Sequence, residues 1–361
     1  MMRFKSESTA LVLADHVSRP LLHALALFPL LLLALLVAAL ATISPARAEG
    51  GNACNGKSIL PGMQANDPAL YAKLLADAAK VPNGDAILWK VEKPGIAPSW
   101  LLGTMHVTDP RVTALPEAAR APYESASTVV IETTDVLDEK KTAAAMMGRA
   151  DLTMLADGKT IQDLLGKEEA DKLEAGLKGR GIPLIAVARM QPWLISSFVA
   201  LPACETARKQ SGQIFLDKKL ALDAQASGRE VLGLETMVEQ LSAMADLPVD
   251  FHLKGLIETL ALGDRMEDIF ETMTELYLQG KPGEIMPMLK AATPATTGEG
   301  DGYAAFEDRL IRDRNHVMAD RGAPILDKGN VFLAVGALHL PGEEGVVALL
   351  QQKGFTLTPV R

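Results

Sequence analysis

The chain reads as an α/β protein: a mixed, largely buried β-sheet flanked by helices, with a helical subdomain set into it. Three observations lead there. Short β-branched apolar runs such as Val129–Ile131 and Val331–Val335 alternate with longer segments of helical period. These runs lack the polar alternation of a one-sided sheet, so both faces of the strands are expected to be covered. The helical stretches exceed what a simple doubly wound fold needs, and the surplus gathers around residues 136–228.

Residues 1–48 read as a targeting segment. Arg3, Lys5 and Arg19 supply a positive start, Ala24–Ile43 is an almost unbroken apolar run, and Ala46-Arg-Ala48 offers an A-x-A cleavage site. Cleavage and export to the periplasm is the preferred expectation. The alternative is an uncleaved anchor, since about 20 apolar residues can span a bilayer. The segment carries four basic and two acidic residues, so its removal takes the net charge from −9 to −11. A chain that acidic is not built for nucleic acid or anionic lipid. Cys54 and Cys204 are the only cysteines. An even count in an exported chain points to one disulfide, with two free buried thiols as the alternative.

Residues 49–85 form an N-terminal tail and helix, and 86–361 the main domain. Glu49–Gln64, rich in Gly and Asn, is expected to be irregular. Asp67-Pro68 reads as N-cap and first residue of a helix to about Lys80. Ala86–Glu92 and Ser99–Thr104 form a hairpin across Lys93-Pro-Gly95. A helix entered through Pro116 leads to a strand at Ser127–Ile131. Asp138–Leu177 is mostly helical, and Pro192-Trp193 opens a further helix. Gln213–Ser227 is amphipathic, with Leu216, Leu220 and Ala224 on one face. Glu230–Leu234 is a short strand; Val238–Met244 and Phe251–Gln279 are helical. Lys290–Gly302 reads as a surface loop and Ala304–Arg321 as a charged helix. Asn330–Val335 is the last core strand, Gly345–Lys353 a helix and Phe355–Val360 a closing strand.

Four of these strands end in a polar residue suited to chemistry. Leu101-Leu-Gly103-Thr-Met leads to His106, and Leu333-Ala-Val-Gly336-Ala-Leu to His339. Val129-Val-Ile leads to Glu132, and Val231-Leu-Gly-Leu to Glu235. Ligands of open α/β sheets bind outside the carboxyl ends of the strands. If the four strands are parallel neighbours, two imidazoles and two carboxylates converge. Gly103 and Gly336, each three residues before a histidine, let the backbone turn or approach closely. Two His and one or two Glu suit Zn, Mn, Co or Fe with a position left for water. A carboxylate off the metal could act as general base. The competing view is four separate strand-end residues, with Glu132 and Glu235 serving as helix N-terminal acids. No His-Glu-x-x-His, Gly-x-Ser-x-Gly or P-loop is present, which disfavours zincins, serine hydrolases and NTPases.

Several ordered motifs resemble the TraB/GumN family, which includes the TIKI metalloproteases. They are Gly103-Thr-Met-His106 with Pro110 and Leu115-Pro116; Val130-Ile-Glu132; Gly233-Leu-Glu-Thr236 with Gln240-Leu241; Arg314-Asn315 with Met318; Val335-Gly-Ala-Leu-His339-Leu-Pro-Gly342; and Gly354-Phe355. The resemblance runs from about Trp89 to Val360. It implies an erythromycin-esterase/ChaN-like fold and one site holding His106, His339 and Glu132. In the TIKI branch the implied activity is peptide-bond hydrolysis with a divalent metal such as Mn or Co. The related esterases imply a metal-free variant with a histidine base.

The leading expectation is therefore an exported metal-dependent hydrolase of peptide or amide bonds, acting on a peptide or another small or extended substrate. His106, His339 and Glu132 would bind Mn, Co or Zn, and Glu235 would be a further ligand or the base. The alternatives are the metal-free esterase-like enzyme and a non-enzymatic binder of iron, haem or glycan. Among Arg309, Arg312 and Arg314, the Arg314-Asn315 pair is preferred as catalytic because it falls in a motif; Arg309 could bind substrate, or all three could form a solvated face. Gln240 could orient Glu235 or a substrate amide. His252 and His316 read as ordinary helix residues, the three tryptophans as core, and Tyr277 as packing at a helix end.

Overall fold

The hydrogen-bonded rows of six strands order the molecule. The computed structural model describes residues 54–292 and 307–361. The targeting segment expected over 1–48 and all but the first residues of the 290–302 loop lie outside the described residues. Strands β1 (Leu88–Glu92), β2 (Ser99–Thr104), β3 (Thr128–Ile131), β4 (Glu230–Gly233), β5 (Val331–Gly336) and β6 (Thr356–Val360) form one sheet in the order β4-β3-β5-β2-β1-β6. β4, β3, β5 and β2 run parallel, while β1 pairs antiparallel with both β2 and β6. The sheet is thus mixed, as expected, and its four parallel strands are those that lead to His106, Glu132, Glu235 and His339.

Register decides which side chains meet. Leu101 pairs with Leu333, which pairs with Val130, which pairs with Leu232. Paired residues share a face. This row packs on Met318, Ala319 and Leu326 of the Asp313–Leu326 helix and on Val346, Val347 and Leu350 of the Val346–Gln352 helix. The alternate set, Leu102, Val129, Ile131, Phe332 and Ala334, faces the other way. It is covered by Ala119 and Tyr123 of Glu117–Ser125 and by Leu216, Leu220, Ala221 and Ala224 of Leu216–Ala226. Burial on both faces explains why the strands read as continuous apolar runs.

A separate helical cluster joins Leu173 and Leu177 of Lys167–Gly179, Ile195 and Val199 of Pro192–Val199, and Leu253, Leu256 and Leu260 of Val249–Ala261. It therefore draws in a helix beyond residue 228, whereas Leu216–Ala226 serves the sheet. Two local expectations are corrected. Leu60–Asn66 is a helix rather than irregular chain: Pro61 suits its first turn, and Leu60 and Met63 pack onto Leu74, Ile269 and Leu276. The long helix expected over Phe251–Gln279 is two, Val249–Ala261 and Arg265–Leu278, separated at Gly263 with φ +52°. That left-handed conformation ends a helix and favours glycine. Cys54 and Cys204 are brought to disulfide geometry, their Cα atoms 5.3 Å apart.

Phe332 sits in the central strand with no exposed surface. Phe332→Ala leaves a cavity between β5 and the Glu117–Ser125 helix, and is expected to cost about 3–5 kcal/mol in urea unfolding.

Candidate functional site

β2, β5 and β3 lie side by side, and their carboxyl ends deliver His106, His339 and Glu132 to one edge. The imidazole Nε2 atoms of His106 and His339 each lie 3.9 Å from the same oxygen, Oε1 of Glu132. The two nitrogens can be no further apart than twice that distance, so the histidines share one site. The motif glycines act by close approach rather than by unusual torsions. A Cβ on Gly103 would lie 2.7 Å from Cδ1 of Leu340 and 3.0 Å from Cα of Ala337. A Cβ on Gly336 would lie 3.0 Å from Oε1 of Glu132, the oxygen to which the Gly336 N–H donates at 2.7 Å.

Arg314 comes from the Asp313–Leu326 helix and closes the site on the β3–β4 side. Its Nε and Nη2 donate to the two oxygens of Glu235 at 3.0 and 2.7 Å, and Nη2 also donates to Oε2 of Glu132 at 2.8 Å. Gln240 Nε2 donates to the same two carboxylates, at 3.1 Å to Glu132 and 3.3 Å to Glu235. Glu235 is not the cap of the following helix. Thr236 takes that position, accepting from the Glu239 N–H while Glu239 reaches back to the Thr236 N–H.

His339 is buried and aimed. Asn315 Nδ2 donates to the Glu344 carbonyl at 2.8 Å, which leaves its Oδ1 facing His339 Nδ1 at 2.7 Å. Nδ1 must then carry the proton, and the Nε2 lone pair is free to face Glu132. His106 is half exposed, tilts against the Phe215 ring, and has Asp217 Oδ1 at 3.5 Å from Nε2. Its loop is anchored by Glu205, fully buried, which accepts from Thr108 N and Oγ1 and pairs with Arg208. That anchor lies beside Cys204.

His106, Glu132, Arg314 and His339 border a cavity of about 220 Å³. Its polar floor is His106, Glu132, Arg314 and His339; Met105, Met273, Ile285 and Leu338 form an apolar wall. Tyr277, expected only to pack a helix end, also borders it and donates its hydroxyl to the Gly103 carbonyl at 3.1 Å. Arg309 is not part of the site: it is exposed and paired with Asp313 and Asp246. His252 meets the Met244 carbonyl and His316 the Glu344 carboxylate, both away from the cavity. Thr104, Tyr277 and Asp217 were not legible as site residues. An acid in a first helical turn, like Asp217, reads as a dipole partner.

Charge divides the two histidines. Desolvation on the enclosed side of the ring pulls His106 down although half of the side chain is exposed, but Asp217 and then Glu132 outweigh it and push the ring up to about 9. Burial dominates at His339 and lowers it to about 4 against the pull of Glu132. Burial alone would raise Glu132, yet His106, His339, Arg314 and the Gly336 N–H hold it down at about 2. With His339 neutral near pH 7, protonated His106 and Arg314 carry that effect.

The donor chemistry suits a metal: two imidazole Nε2 atoms each lie near the same carboxylate oxygen. A four-coordinate ion with bonds of about 2.0–2.1 Å spaces its donors about 3.3–3.4 Å apart. Among the described residues no three His, Cys, Asp or Glu side chains stand close enough to hold an ion without moving. The two Nε2–Oε1 separations of 3.9 Å exceed the ideal by about half an ångström.

Metal-free protein should lose stability in acid in two stages. The His339 contribution is present above the ordinary 6.5 and lost as pH falls through about 4; that of Glu132 is present above 4.5 and lost towards about 2. The His106 contribution is present below 6.5 and lost as pH rises through about 9. Imidazole NMR titrations that place both rings near 6.5 would contradict this. Arg314→Met leaves Glu132 and Glu235 buried without their cation, and should cost about 3–5 kcal/mol in chemical denaturation.

The sequence profile of the TraB/PrgY/gumN family matches residues 87–359. No curated protein and no solved structure matches the chain.

Proposed function

The chain belongs to the TraB/PrgY/gumN family, and from its site we propose that it is an exported hydrolase that cleaves peptide or amide bonds with an activated water. The observation that supports this reading is the pair of imidazole Nε2 atoms, each 3.9 Å from Oε1 of Glu132, on the floor of a cavity. His106, His339 and Glu132 would hold a divalent ion, Mn, Co or Zn. When bound, such an ion makes its water a nucleophile near neutral pH and polarises a substrate carbonyl.

The remaining roles belong to the chain itself. Asn315 fixes the His339 ring so that Nε2 faces the reacting space. The Gly336 N–H and the Arg314 guanidinium hold Glu132 in place through its two oxygens. Glu235 has both oxygens taken by Arg314 and one shared with Gln240. We therefore give it a positioning role, holding Arg314 against Glu132, rather than that of ligand or base. The apolar wall of Met105, Met273, Ile285 and Leu338 suits an apolar side chain of an extended substrate.

A second reading keeps the residues without the ion. His339, neutral near pH 7, would accept a proton from water, and His106, protonated up to about 9, would give one to the leaving group. Two titratable groups pushed in opposite directions form an acid–base pair.

Turnover of a fluorogenic peptide pool separates the two. The metal reading expects activity to vanish in chelator and return with Mn or Co, and His339→Ala to lower kcat by about 10²–10⁴-fold. Full activity in chelator, with the same loss in His339→Ala, selects the metal-free enzyme. A folded protein that turns over no ester or peptide with or without added metal would sink both.

A further inference from the structure

Asp217 is the one charged side chain beside the site with nothing to complete its bonding. It lies in the first turn of the Leu216–Ala226 helix and is 3% exposed. Oδ1 accepts from Thr104 Oγ1 at 2.8 Å and faces His106 Nε2 at 3.5 Å. Oδ2 is buried and has no hydrogen-bond partner, alone in this among the side-chain atoms of the described residues. A buried carboxylate oxygen left unpaired is costly, and such groups are normally met by a proton donor, a water or a cation. Among the described residues no basic side chain is within ion-pair distance of Asp217 except His106, through Oδ1.

We infer that Asp217 is a cation ligand of the same centre, making the donor set His106, His339, Glu132 and Asp217. This rests on the metal reading above and adds a residue that none of the sequence motifs contains. His106 Nε2 is common to both carboxylates, with Asp217 Oδ1 at 3.5 Å and Glu132 Oε1 at 3.9 Å. The Asp217 distance is already close to the spacing of two ligands on one ion, about 3.3–3.4 Å for bonds near 2.1 Å. Two imidazoles and two carboxylates form a mixed nitrogen–oxygen set suited to Mn or Co. Thr104 then acts from outside the coordination sphere, fixing the carboxylate as outer hydrogen bonds commonly do.

The test titrates the full-length, metal-stripped protein with cobalt(II), read by visible d–d absorption, in wild type, Asp217→Asn and Asp223→Asn. Asp223 is an exposed acid on the same helix and serves as the control for charge alone. The expected result is a cobalt affinity at least tenfold weaker in Asp217→Asn, with an altered band shape, and an affinity within twofold of wild type in Asp223→Asn. Unchanged affinity and spectrum in folded Asp217→Asn would overturn the inference and leave the three-ligand reading standing. No cobalt uptake by the wild type would overturn both. Should Asp217→Asn fail to fold, a crystal of wild type soaked in manganese decides by anomalous scattering. An Asp217 oxygen within about 2.3 Å of the ion supports ligation, and one beyond 3 Å rejects it.

Discussion

The Arg314 guanidinium, clamped between Glu132 and Glu235, is the contact on which the site depends. It reaches from a helix late in the chain to carboxylates at the ends of two adjacent parallel strands. Two carboxylates at this range repel, and both are buried. Without a shared cation one of them would take up a proton or swing away. With it, Glu132 keeps its charge and presents Oε1 to the two histidines. Gln240 and the Gly336 N–H complete the same restraint with neutral donors.

The parallel register supplies the rest. β2, β5 and β3 are aligned so that their ends reach the same edge, and the chain then needs only a few residues from each strand to arrive at the site. Close packing at that edge explains the glycine before each histidine. At Gly103 the space is taken by Leu340 and Ala337, and at Gly336 by the Glu132 carboxylate itself. The two histidines then diverge in character because their surroundings differ. One is enclosed and oriented by an amide; the other is half open and beside a second carboxylate. The site thus holds one imidazole neutral and pushes the other towards its charged form.

Much of this was legible in the linear pattern. Near-continuous apolar runs marked β2, β3 and β5, because strands covered on both faces tolerate few polar residues, whereas β1, β4 and β6 carry polar or exposed positions and were marked by the turn residues that flank them. The polar residues just beyond four of the runs were recognisable because a strand end is where a buried run meets solvent or a ligand. Whether Glu235 caps the next helix was not legible; in the structure Thr236 and Glu239 form that cap, and Glu235 meets Arg314 instead. Leu60–Asn66 was missed because Leu60 and Met63 pack in a cluster with Leu74, Ile269 and Leu276, two of them distant in sequence, which its own Gly- and Asn-bearing sequence does not reveal.

Sequence alone determined the α/β class, the strands, and the short list containing His106, Glu132, Glu235, Arg314 and His339, since hydrophobic period and motif spacing are local properties. Tertiary structure decided what those residues are to one another. Strand order and direction brought the four ends together, and helix placement put Arg314 rather than Arg309 between the glutamates. The Leu216–Ala226 helix, docked on the sheet through Leu216 and Leu220, carried Asp217 to His106. Such relations span 79 residues for Arg314 and Glu235 and 204 for Gly336 and Glu132, and no local pattern encodes them, because they arise from which faces pack and not from which residues adjoin.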